Sequence, residues 1–228
     1  MRISANGFTA PVLLLSFMTS GATGDFDDLV SDLRQMIEIA KVETLREDVF
    51  VAGLSMGGLL ALDYSIKYGD TITGVICSAP AVKLKNPPGG IEYGAARFIA
   101  ALFPWLTTPN RIPYEWLTHD AALIEETKAD KNSQRVISFG LFLQMTKAMR
   151  FVFDNAGGIK VPLLFLQGSD DKVVEADGVR ELFEKIPSID KELKVYDGLY
   201  HELLRETRRE EIAGYIIDWI QKRTGERK

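Results

Sequence analysis

A serine hydroxyl attacks a carbonyl carbon only when a base takes its proton and a third group fixes that base in the right tautomer. One stretch of this 228-residue chain offers such a serine, Gly53-Leu54-Ser55-Met56-Gly57-Gly58. It follows the run Asp48-Val49-Phe50-Val51-Ala52, which reads as a buried strand. It precedes a helix expected from Leu59 to Tyr68, with Gly69 placed to end it. A strand turning through a glycine-flanked serine into a helix holds the hydroxyl at the sheet edge on a tight, strained turn. The N–H of Met56, at the helix N-terminus, then serves as one donor to an oxyanion. Taken alone, the hexapeptide also fits a glycine-rich turn with an incidental serine, because short motifs recur by chance.

The base must be one of two histidines. His201 lies just after the last expected strand, in Tyr196-Asp197-Gly198-Leu199-Tyr200-His201-Glu202, and so reaches the same sheet edge as Ser55. His119 stands beside Asp120 in a helical stretch, where a surface or capping role is the default. The orienting acid should follow the preceding strand, and Gly168-Ser169-Asp170-Asp171 supplies two aspartates there. Three such elements at successive carboxyl strand ends are much more specific than any one alone, since functional groups of parallel sheets gather at that edge.

The elements that must position these groups follow from apolar periodicity. Asp25 can cap a helix to about Lys41, with Phe26, Leu29, Val30, Leu33, Ile37 and Ala40 forming one stripe. The strand and helix around Ser55 come next, then a strand through Cys77 that ends before Pro80. This alternation builds a parallel sheet covered on both faces. From Ala81 to about Lys160 the rhythm breaks into helical, aromatic-rich segments without a strand signal. This stretch is either an insertion over the sheet edge or further core helices. Order returns with a strand from Val161 to Gln167, a helix from Ala176 to Lys185 and a strand from Glu192 to Tyr196. A last helix, boxed by Thr207 and Glu210, buries Ile212, Ile216, Trp219 and Ile220.

Composition narrows the function classes. The length suits one domain with a substantial core, and 46% apolar with 26% charged residues is the balance of a globular chain. A net charge of −5 argues against nucleic acid or an anionic membrane as the main partner. The single cysteine, Cys77, excludes an internal disulfide and sits in an apolar run as a buried thiol. One cysteine and two histidines suggest no metal cluster, and no cofactor is called for. No run reaches the roughly 18 apolar residues that span a bilayer. Pro11 to Met18 has a thin likeness to a signal peptide but reads better as a buried strand, so a cytoplasmic location is expected.

The order Ser, Asp, His is that of the α/β-hydrolases. From about Gly24 onward the chain resembles their monoacylglycerol lipase and lysophospholipase branch. The resemblance is carried by Phe26-Asp27-Asp28-Leu29-Val30-Ser31-Asp32-Leu33, the Ser55 hexapeptide, Pro162 through Asp171, and Tyr200-His201-Glu202. Leu117-Thr118-His119-Asp120 and Lys128-Ala129-Asp130 extend it into the insertion. It implies that Asp171, three residues beyond Gly168, is the acid, and that Asp170 occupies a variable position. It also implies hydrolysis of single-chain acyl esters, with the insertion as a cap over the acyl chain and in transient contact with lipid. Family members usually begin with further strands and a His-Gly loop that lends the second oxyanion N–H. The first 23 residues show no such loop, so the second donor is expected near Phe17 or Met18. Losing one such donor costs about 10²–10³ in rate. Missing strands would also expose a sheet edge that invites a homodimer.

The expected molecule is a reduced α/β-hydrolase. It is a single domain over residues 1–228, with a mostly parallel sheet of about five or six strands, helices on both faces and a helical cap near residues 81–160. Ser55 is the nucleophile, His201 the base and Asp171 its orienting acid. Phe98, Leu102, Phe103, Trp105, Phe142 and Met145 suit an acyl pocket, and suit ordinary core packing equally well. The small-molecule partner is then a monoacylglycerol-like or lysophospholipid-like ester. The alternatives are a catalytically impaired relative that binds acyl ligands or partners, and a thioesterase or peptidase on the same fold.

Overall fold

A computed structural model describes residues 12–15, 25–130 and 136–224. In chain order the elements are β1 (Val12–Leu15), α1 (Phe26–Thr44), β2 (Phe50–Leu54), α2 (Met56–Tyr68), β3 (Gly74–Ser78), α3 (Gly90–Leu102), β4 (Thr107–Pro109), α4 (Ala121–Ala129), β5 (Val136–Ser138), α5 (Phe139–Asp154), β6 (Leu163–Gly168), α6 (Ala176–Lys185), β7 (Lys191–Tyr196) and α7 (Arg209–Gln221). Five strands form one parallel sheet in the order β1-β2-β3-β6-β7. All five carboxyl ends therefore lie on one edge.

Strand side chains alternate between two cores. Val51, Val75, Cys77, Leu163 and Phe165 face the larger cluster with α1, α2, α5 and α6. Phe50, Ala52, Ile76, Leu164 and Leu166 face α7, which buries Ile212, Ile216, Trp219 and Ile220 as expected. The period of two is why β2, β3 and β6 read as almost continuous apolar runs: both faces are covered. Cys77 is buried, and burial pushes its thiol far up, which leaves it inert. α1 begins on Asp25, whose carboxylate accepts from Phe26 N at 2.7 Å while Asp28 accepts from Asp25 N at 2.8 Å.

Several local expectations are corrected. α2 starts at Met56, immediately after the serine, and not at Leu59. Its end is where expected, at Tyr68 with Gly69 as the capping residue, which keeps right-handed dihedrals and opens a 3-10 turn. Thr207 and Glu210 form no capping box. α7 starts at Arg209, and the Thr207 N–H donates to Glu206 instead. The insertion does contain strands: β4 and β5 pair antiparallel, with Thr107 opposite Ser138. Three-residue strands, one of them holding a proline, leave too short a pattern to detect from sequence.

The stretch between β3 and β6 resolves both of its earlier alternatives, because it divides. α5 packs on α2 and buries Met145, Ala148, Met149 and Val152 in the main core. α3 rests on α5 and buries only Ala96 of its own residues.

The tightest approach in the sheet region is at Gly53. A Cβ there would stand 2.2 Å from the Gly57 carbonyl oxygen. Gly53→Ala is expected to lower the unfolding free energy by about 2–4 kcal/mol in urea titrations. A loss under about 0.5 kcal/mol would mean that the β2–α2 turn opens freely.

Candidate active site

Ser55 sits between β2 and α2 with φ 54° and ψ −116°, a conformation that L-residues rarely adopt. Three backbone bonds brace it. Its N–H donates to Ser78 O at 3.0 Å, and its carbonyl accepts from Leu59 N at 3.1 Å and Ala81 N at 2.9 Å. The neighbouring strand end is turned as sharply: Ala79 has φ 42° and donates its N–H to Leu166 O at 2.8 Å. A Cβ on Gly58 would come within 3.0 Å of Pro80 Cβ, so a glycine lets the two turns nest. Met56 is the first residue of α2 and among the N-terminal residues that lack an intrahelical acceptor. Phe17 and Met18, the expected source of a second oxyanion donor, lie outside the described residues.

Asp171 follows β6 and is buried, with four hydrogen bonds on its carboxylate. Oδ1 accepts from Val173 N at 2.8 Å and Val174 N at 2.9 Å. Oδ2 accepts from Gln167 Nε2 at 3.0 Å and lies 2.9 Å from His201 Nδ1. Burial alone would push its pKa up, but His201 and the two backbone N–H groups outweigh burial and hold the carboxyl below its ordinary range. An ionised carboxylate only accepts, so Nδ1 of His201 carries the proton and Nε2 is left to act as a base. Asp170 is exposed and accepts from Ser169 Oγ at 3.1 Å.

His201 is buried on the loop that follows β7. That loop lies across the end of β6: Ser169 N donates to Tyr196 O at 2.9 Å, and Asp170 N to Leu199 O at 3.1 Å. A Cβ on Gly168 would stand 2.3 Å from Leu199 O and 2.4 Å from Tyr200 O. The glycine that ends β6 is thus what admits the histidine loop. Ser55, Asp171 and His201 follow β2, β6 and β7, so all three stand at the carboxyl edge of one sheet, with only β3 between β2 and β6.

Four polar residues at this edge escaped the sequence reading. Gln167 and Lys85 both contact Asp171, Lys85 through Nζ to the Asp171 carbonyl at 3.0 Å. Lys172 Nζ donates to Tyr200 Oη at 2.8 Å. Glu206, fully buried, accepts from the Tyr200 backbone N–H. Only the strand position of Gln167 was available as a signal, since a polar side chain inside the run Leu163-Leu164-Phe165-Leu166 needs a partner. His119 is at the surface, as expected, and it is not the cap. Its Nδ1 lies 2.9 Å from Glu206 Oε1 and its ring stacks on Tyr200, while Asp120 caps α4.

The six residues expected to line one acyl pocket are dispersed. Phe98, Leu102, Phe103 and Trp105 are exposed, Met145 is in the core, and Phe142 lines a cleft of about 270 Å³ with Val82, Leu84, Pro87, Tyr93 and Met149. Among the described residues no cluster of His, Cys, Asp and Glu could hold a metal, and no helix is long and apolar enough to cross a membrane.

Asp171 and Glu206 are both held below the usual carboxylate range, so each contributes stability at neutral pH. That contribution is present above the unfolded value of about 4 and is lost as pH falls through the lower folded value. Thermal melts should therefore show the wild type losing stability on acidification. Asp171→Asn should begin lower at neutral pH and decline less steeply, whereas parallel curves would contradict the assignment.

Comparison with known proteins places this edge in context. The family described as serine aminopeptidase, S33 matches residues 16–208, most of the chain. An abhydrolase domain-containing protein of Dictyostelium discoideum is 30% identical over 90% of this chain, which spans 22% of that relative's length. The monoacylglycerol lipase of Mycolicibacterium smegmatis is 25% identical over 86% of this chain and 70% of its own. The crystal structure of Paleococcus ferrophilus monoacylglycerol lipase superposes with a TM-score of 0.81 at 26% identity, covering 89% of this chain and 77% of that one. The parallel sheet, the strained serine turn and these matches agree: the chain belongs to the serine aminopeptidase S33 family of α/β-hydrolases and is monoacylglycerol lipase-like within it.

Proposed function

We propose that this chain is a serine carboxylic-ester hydrolase for single-chain acyl esters, of the monoacylglycerol or lysophospholipid kind, working through an acyl-enzyme on Ser55. The observation that carries the proposal is the buried Asp171–His201 pair, its carboxylate accepting four hydrogen bonds, at the edge where the strained Ser55 turn also stands. In this mechanism Ser55 Oγ attacks the ester carbonyl while His201 Nε2 takes its proton. His201 then delivers that proton to the leaving alcohol, and Asp171 stabilises the imidazolium. The Met56 N–H donates to the oxyanion. Water, deprotonated by His201, attacks the acyl carbon, and His201 returns that proton to Ser55 Oγ as the acid leaves.

The cleft beside Phe142 is the site proposed for the acyl chain. It starts at Val82, next to Ala81, whose N–H is bonded to Ser55 O. Its volume of about 270 Å³ is near the low end of small-molecule sites, about 300–1,000 Å³, which suits short to medium chains. The carboxylate at its rim, Glu175, is paired with Lys83 at 2.8 Å.

The exposed Phe98, Leu102, Phe103, Trp105 and Leu106 support transient contact of the cap, residues 81–160, with a lipid surface. A homodimer through the β1 edge of the sheet, and a cytoplasmic location, complete the proposal.

The deciding measurement is hydrolysis of a p-nitrophenyl ester series and a monoacylglycerol, with matched thioester and amide substrates. Turnover of esters should exceed that of amides. Ser55→Ala should abolish it, and Asp171→Asn should lower kcat by about 10⁴ through the wrong histidine tautomer. Well-folded protein without turnover or labelling by a serine-directed phosphonate would leave an acyl-binding relative instead. Sedimentation with and without phosphatidylcholine vesicles checks the partners. A dimer should appear without lipid, and vesicle binding should fall in Phe98→Ser/Trp105→Ser. A monomer in the first run, or unchanged binding in the second, rejects the corresponding partner.

A further inference from the structure

We infer that Glu206 is a positioning residue for His201, clamping the histidine loop to the middle of the cap through Tyr200 and His119. The inference rests on the ester-hydrolase reading for its kinetic consequence, but not for its geometry. Glu206 has no exposed surface, and its carboxylate accepts four hydrogen bonds from three residues, Tyr200, Thr207 and His119. Oε1 accepts from Tyr200 N at 3.0 Å and His119 Nδ1 at 2.9 Å. Oε2 accepts from His119 N and Thr207 N, each at 3.2 Å. Burial would push this carboxyl up, but those donors, Tyr200 N–H foremost, pull it below the ordinary glutamate range. It is therefore an ionised acceptor, and His119 Nδ1 must carry a hydrogen to meet it.

The clamp acts on both sides of His201. The preceding residue, Tyr200, is held at its N–H by Glu206. The following residue, Glu202, donates its N–H to Leu117 O at 2.8 Å. Leu117 and His119 belong to one short segment of the cap, which Thr118 ties further through Oγ1 to Arg205 O at 2.8 Å. The Tyr200 ring is held as well. His119 stacks on it with centroids 3.7 Å apart, and Lys172 Nζ lies 4.0 Å from its centroid. Lys172 follows Asp171 and Tyr200 precedes His201, so the chain neighbours of acid and base are themselves joined.

Asp171 holds His201 at one ring atom, which leaves the ring free to swing about that bond. Fixing the backbone at residues 200 and 202 removes this freedom and sets where Nε2 stands, on which proton transfer depends. Four donors on two oxygens require a carboxylate. In Glu206→Gln the amide nitrogen would face N–H donors wherever it was placed.

The chain has only two histidines, so the imidazole NMR spectrum reads this directly. Kinetics on a p-nitrophenyl ester, histidine-ring NMR and thermal melts are compared for wild type, Glu206→Gln, Glu206→Asp and His119→Ala. The expected result is a fall in kcat of about 10–100-fold for Glu206→Gln with KM within about twofold. The Nδ1–H resonance of His201 should shift or broaden, and Glu206→Asp should recover part of both. His119→Ala leaves the three backbone donors to Glu206 in place, so it tests the clamp should Glu206→Gln fail to fold. It should lower kcat by about 3–10-fold and move the same resonance. Variants that lose only melting temperature, with kcat and the His201 resonance unchanged, would overturn the inference. Because the resonance is independent of turnover, a wild type that hydrolyses no ester but shows these shifts would refute the hydrolase reading and sustain the clamp.

Discussion

The close approach of Gly53 to Gly57 governs the arrangement of this molecule. No side chain fits where β2 turns into α2, since even a Cβ on Gly53 would overlap the Gly57 carbonyl. The chain can therefore leave the sheet within one residue, and that residue, Ser55, takes up the strain with a left-handed φ. Such a conformation persists only if the surroundings over-determine it. The bonds to Ser78, Leu59 and Ala81 do so, as does the nesting of Gly58 against Pro80. With the turn fixed, α2 lies buried between the sheet and α5, and the larger core grows around it.

Two buried carboxylates then organise the rest of the edge. Asp171 and Glu206 each accept four hydrogen bonds, so each replaces the water it loses on burial with fixed donors. Asp171 grips the ring of His201, and Glu206 grips the backbone beside it. Neither could be swapped for an amide without setting donors against donors. The charge is tolerated because fixed donors, most of them backbone N–H groups, stand where water would otherwise solvate it.

The segment between β3 and β6 serves two purposes at once. α5 is a core helix in all but sequence position, while α3 lies on it with most of its surface exposed. The β4–β5 pair and the Phe139 and Gly140 N–H bonds to Leu106 and Pro104 fasten α3 to the start of α5. The stretch from Leu117 to Asp120 reaches the other way and fastens to the His201 loop. This stretch is therefore anchored to the main core through α5 and to the residues around the histidine through residues 117–120.

Much of this was legible in the residues themselves. Apolar runs marked β2, β3 and β6, because strands buried on both faces carry few polar interruptions. Asp25 with its stripe marked α1, because capping and amphipathicity are local. The glycines around Ser55 marked the sharp turn, since a missing Cβ is visible in sequence. What stayed hidden depends on contacts between distant residues. Strand order, the division of the stretch between β3 and β6, and the burial of Glu206 come from packing. So do the meeting of Leu117 and His119 with the His201 loop more than 80 residues later and the exposure of Phe98 and Trp105. A glutamate at residue 206 looks like any surface acid until the fold surrounds it with N–H donors. Composition and local pattern determined the elements and the reactive residue types, whereas the tertiary structure alone decided which of them share one desolvated edge.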